Sequence, residues 1–171
     1  MRKSLSVWQG LGFIFTGVLG VVLHFLYEWT GKNSFVAGFS AVNESTWEHM
    51  KILFFPMFIF ALIENLFIGK KYKNFWCVKL VGILFGVLSI PVIFYTLRGV
   101  FGTTPDFVNI AIFYVAAFIS YFAETRLLKN GSFHCENAGI ALLLLWCIVL
   151  LFVVFTFEPP SLPVFQDPTR Y

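Results

Sequence analysis

Five apolar runs of about twenty residues each, at 8–27, 50–68, 75–97, 107–127 and 137–157, leave this chain few ways to fold. The hydrocarbon core of a bilayer is about 30 Å thick, and a helix needs roughly 20 residues to cross it. In lipid the backbone N–H and C=O groups must be satisfied within each run, which selects helices. With 58% hydrophobic and 12% charged residues, a water-facing surface would expose far too much apolar area. The chain reads as all-α: a polytopic membrane protein, one domain over 1–171, with a bundle of five transmembrane helices and a tail at 158–171.

Orientation follows from the distribution of Lys and Arg. Arg2, Lys3, Lys70, Lys71, Lys73, Lys79, Arg126 and Lys129 fall on the side of the N-terminus, against Lys32, Lys51, Arg98 and Arg170 on the other. That bias predicts an N-in/C-out topology, with the protein in the cell (plasma) membrane and its N-terminus cytoplasmic. Met-Arg-Lys before an apolar run resembles a signal peptide, but the run is too long for one and reads as a retained first helix. The expected partners are membrane lipids, with a homo-oligomer or a membrane partner subunit as further readings. A net charge of +3 carries no nucleic-acid signature, and the Lys70-Lys-Tyr-Lys73 run suits anionic headgroups.

Within the runs, small and polar residues form stripes. Gly12, Thr16, Gly20, His24 and Glu28 recur every four residues, which places them on one helix face. Small residues there let a neighbouring helix approach closely. Gly82, Gly86 and Ser89 form a second such face, and Ala116, Ser120 and Glu124 a third. Pro56 and Pro91 are expected to kink their helices. Thr104-Pro105-Asp106 reads as a helix start capped by Thr104. The last run has no ionisable group and is expected to face lipid. The tail, with Leu162, Val164 and Phe165, is expected to fold back over the outer mouth of the bundle. Cys77, Cys135 and Cys147 have no metal-type spacing, and a disulfide framework is not expected.

Polar chemistry concentrates in Ser40-Ala-Val-Asn-Glu-Ser-Thr-Trp-Glu-His49. Ser45 and Glu48 match a capping box, which explains both residues without any function. The functional weight therefore falls on Asn43, Glu44 and His49, and on His24 and Glu28 at the same end of the first helix. His24 lies inside the apolar boundary, where ionisable groups are costly and usually functional. His24, Glu28, Glu44 and His49 are the expected acid/base groups or ligands of a divalent metal ion. Asn43, Trp47 and Glu48 are the expected ligand-positioning groups. A second pair, Glu64 and Glu124, belongs near the opposite face, paired with Lys79, Arg126 or the 70–73 lysines, or serving as an inner relay.

The segments His24-Phe-Leu-Tyr-Glu-Trp29, Val42-Asn-Glu-Ser-Thr-Trp-Glu-His49 and Phe165-Gln-Asp-Pro168 resemble a family of uncharacterised small bacterial integral membrane proteins. That resemblance covers essentially the whole chain and implies the architecture but no activity. The residues themselves point to an extracytoplasmic His/carboxylate pocket, in an enzyme or binding protein for a lipid-like ligand, with metal dependence as one reading. The alternatives are a small transporter or ion-conducting component, and a non-catalytic accessory subunit held through the Gly12/Thr16/Gly20 face.

Overall fold

The computed structural model describes residues 2–103, 105–131 and 133–169. It contains six α-helices: α1 (Arg2–Trp29), α2 (Ser34–Ala37), α3 (Thr46–Phe67), α4 (Phe75–Phe101), α5 (Asp106–Asn130) and α6 (Ala138–Phe157). All but the four-residue α2 are long and apolar enough to cross a membrane. The expected five long apolar helices are therefore present. Their ends differ by a few residues, because terminal turns carry polar caps that hydropathy does not register. The second span begins at Thr46 rather than at residue 50, directly after the Ser45 cap.

Helix α3 is the most buried of the five and packs on α1 and α4, while α5 closes against α4 and α1. Helix α6 is the least buried and leans on α4 and α3. It presents Leu143, Leu150 and Val154 outward, as expected for the run without ionisable groups. We call the end of the bundle where α1 begins proximal and the end where it finishes distal.

The glycine stripes are used inside the chain. A Cβ on Gly12 would lie 2.6 Å from the Tyr121 ring and 2.7 Å from the Phe60 ring, and one on Gly20 would lie 2.4 Å from the Phe113 ring. Thr16 Oγ1 and Tyr121 OH share a hydrogen bond of 2.8 Å. The face expected to hold a partner subunit is thus filled by α3 and α5 of the same chain. On α4, Gly86 accommodates Ser120, whose hydroxyl donates to the Gly82 carbonyl at 2.5 Å. Close approach of this kind is how helices associate where lipid supplies no hydrophobic drive. Helices α3 and α4 continue past Pro56 and Pro91.

The α1–α3 connection is tied down by its own polar groups. Chain reversal uses left-handed backbone at Gly31 and Lys32 (φ 66° and 63°). Asn33 caps α2, and Ser40 Oγ accepts from the Tyr27 N–H while donating to the Leu23 carbonyl. Lys51 is not a surface charge. It is fully buried, pairs with Glu48 at 2.6 Å, and donates to the Ala37 carbonyl and to Thr156 Oγ1. One ammonium so joins α2, α3 and α6.

Two further expectations change. Cys77 and Cys135 form a disulfide that clamps the α5–α6 connection to the first turn of α4; Cys147 is free and exposed. Sequence separation concealed the pair, because the two cysteines meet only once α5 has returned to the proximal end. Pro105, expected in the first turn of α5, is instead its N-cap. Thr104, Arg170 and Tyr171 lie outside the described residues.

Candidate metal centre at the distal end

His24 sits one turn before the end of α1, and His49 in the first turn of α3. Glu44 lies in the connection just before the Ser45 cap. Folding the connection over α1 brings the three together. His24 Nε2 is 3.6 Å from Glu44 Oε1, and His49 Nε2 is 3.7 Å from Glu44 Oε2. The imidazole centroids are 5.6 Å apart, and one ligand atom from each residue lies within 4.8 Å of the others. Tetrahedral zinc with ligand bonds of about 2.0–2.1 Å needs ligand atoms about 3.3 Å apart. The 3.6 and 3.7 Å separations, one to each Glu44 oxygen, are near that value, and the remaining pair lies within 4.8 Å.

His49 is prepared for such a role. Its Nδ1 lies 2.9 Å from the Ser45 carbonyl oxygen. An N–H donated there leaves Nε2 with its lone pair free, facing Glu44. Metal-ligating histidines are oriented in this way by a carbonyl on the other ring nitrogen. Ser45 itself caps α3, accepting the Glu48 N–H at 3.4 Å. The helix start therefore fixes the ligand.

The triad opens onto a cavity of about 510 Å³. Phe25, Ile110, Phe113 and Tyr114 make its wall largely apolar, and Asn109 supplies a polar group. The Asn109 Oδ1 is buried without a hydrogen-bond partner. The tail reaches this rim, as expected. Phe165 packs on Trp47 with ring centroids 4.6 Å apart, and Pro168 and Thr169 line the cavity.

Other expected site residues fall elsewhere. Glu28 is exposed and faces Lys32 at 3.7 Å, outside the triad. Asn43 accepts the Ser45 N–H at 2.8 Å in an Asx turn. Glu48 does not return to the Ser45 backbone as a full capping box would. It accepts the Val42 N–H at 3.0 Å and pairs with Lys51. Trp47 packs among Phe152, Phe155 and Phe165 with its ring tilted to each. These groups build the connection and lie outside the triad. At the proximal end Glu64 and Glu124 both meet Lys79, one of the expected pairings. Sequence reasoning missed Asn109 and Gln9. Asn109 stands on the same α5 face as Ala116, Ser120 and Glu124, so extending that stripe by two turns finds it.

Five membrane-length helices with a His/carboxylate triad at one end make a small all-α bundle built like a multi-pass membrane protein. The chain belongs to the family of unknown function DUF6512, which it matches over residues 2–170. Comparison with curated proteins and with solved structures gave no match.

Proposed function

We propose that this is an integral membrane protein that binds one divalent ion of the zinc class through His24, Glu44 and His49 and presents it to a lipid-like ligand in the adjoining cavity. The observation that carries the reading is the His49 imidazole, bonded to the Ser45 carbonyl through Nδ1 and turned to Glu44 through Nε2. Two histidines and one carboxylate leave a coordination position open, the arrangement of catalytic rather than structural zinc. Bound there, the ion would lower the pKa of a water molecule and supply a nucleophile for hydrolysis. An apolar wall with a single amide suits an amphipathic substrate whose polar group meets the metal while its chain lies along Phe113 and Tyr114. Asn109 Oδ1 is placed to accept a hydrogen bond from that polar group.

Elemental analysis of protein purified without chelator tests the metal. One zinc-class ion per chain is expected, together with chelator-sensitive hydrolysis of long-chain esters. Metal-free protein overturns the reading, and metal without hydrolysis restricts it to binding.

The proposed orientation keeps the proximal end cytoplasmic. Lys79 and Lys51 are buried in ion pairs, one from each side, so the remaining Lys and Arg keep the original bias. The Cys77–Cys135 pair then faces a compartment that keeps thiols reduced, and closes on oxidation. In intact cells pretreated with a membrane-impermeant reductant, a membrane-impermeant maleimide is expected to spare both cysteines and to label them only after permeabilisation. Labelling from outside would reverse the topology.

A further inference from the structure

At the opposite end of α3 lies a second polar centre, about 22 Å from the first, because His49 and Glu64 are fifteen residues apart at 1.5 Å rise per residue. We propose that Glu64, Glu124, Lys79 and Gln9 form a binding site for one proton inside the bundle. This site is independent of the metal centre.

Four helices each contribute one of its groups. Lys79 Nζ lies 2.5 Å from Glu64 Oε2 and also donates to Glu124 Oε2. Gln9 Nε2 donates to Glu64 Oε1 at 2.8 Å. Glu64 and Glu124 have no exposed surface, Lys79 is 1% exposed and Gln9 5%. The slot is shaped for the carboxylate: a Cβ on Gly82 would stand 2.2 Å from Glu124 Cγ.

Charge and hydrogen bonding are both one proton short. Two carboxylates against one ammonium leave a net negative charge in a medium where an uncompensated ion is expensive. Among the described residues, the charged groups that meet at this centre are Lys79, Glu64 and Glu124. Around them stand the Phe75 ring, the Tyr121 ring with its hydroxyl bonded to Thr16, and Tyr72 near Glu64. None of these supplies a positive charge. Acceptors also outnumber donors: Glu124 Oε1 and Gln9 Oε1 are buried without a donor, and Glu64 Oε2 meets Lys79 only as an ion contact. A buried acceptor without a donor carries a penalty of its own. One proton on the carboxylate pair neutralises the excess charge and supplies a missing donor. Glu48 offers a contrast within the same molecule, since it pairs one-to-one with Lys51 and accepts the Val42 N–H, so it needs no proton.

Infrared titration of the full chain in nanodiscs tests the proposal. The carbonyl stretch of one protonated carboxylic acid per chain is expected at neutral pH, shifting in D2O and unaffected by sodium. It is expected to vanish in Glu124→Gln and equally in Glu64→Gln, because either leaves one carboxylate facing one ammonium. Either variant suffices if the other fails to fold, and the wild-type band needs neither. Absence of the band at neutral pH overturns the proposal, as does its persistence in either variant. Loss of the band on adding sodium overturns it in favour of a metal-cation site.

Discussion

His49→Ala is expected to remove the bound divalent ion, lowering metal affinity by at least about 100-fold, while the protein still folds. Loss of groups that merely orient a ligand costs about 10–100-fold in affinity, and His49 would be a ligand itself. Its side chain is half-buried at the cavity rim and holds no part of the core, so the structural cost is small. The α3 start is kept by the Ser45 Oγ cap and by the Glu48–Lys51 pair; the substitution removes the Nδ1 bond to the Ser45 carbonyl, which still accepts the backbone N–H of residue 49. Asn43→Ala provides the contrast. It removes the Asx turn beneath Glu44 and is expected to lower thermal stability while leaving metal stoichiometry near that of the wild type. The measurement is metal content and competition titration on each purified variant. Wild-type metal content in His49→Ala would refute the assignment of the triad.

The largest effect on stability is expected from Lys79→Met. Removing one partner of a buried ion pair leaves an uncompensated charge and costs about 3–5 kcal/mol. Here two carboxylates lose the same partner. The accompanying substitutions Glu64→Gln and Glu124→Gln are expected to recover most of the loss, because replacing a whole buried ionic group with neutral residues is often nearly neutral. Unfolding in detergent, followed by helical circular dichroism, is the measurement. A Lys79→Met variant as stable as the wild type would show that the ammonium is not what holds α3, α4 and α5 together at this end.

Much of the architecture was legible because lipid-length helices leave a local signature. Hydropathy depends only on neighbouring residues, and the five runs at 8–27, 50–68, 75–97, 107–127 and 137–157 lie within or close to five long helices. The Ser45 cap was equally local. The candidate metal centre was legible in part. Residue type and position mark His24, Glu44 and His49, but a four-residue spacing from His24 marks Glu28 just as strongly. Helix periodicity places residues on a face without saying how far the next segment reaches along it. The connection turns back at Ala41, bonded to the Leu23 carbonyl, so it covers His24 and leaves Glu28 beyond its edge.

By itself the sequence determined the helices, their approximate limits and the two ends at which polar groups gather. Spacing and hydropathy act along one chain segment at a time. Tertiary structure alone decided the pairings. It filled the Gly12/Thr16/Gly20 face from within and buried Lys51 and Lys79 as the hubs of ionic groups. It also closed the Cys77–Cys135 link and left Glu124 and Gln9 with acceptors lacking donors. Each of these depends on which helix is the neighbour and at what height, and close packing between helices sets both.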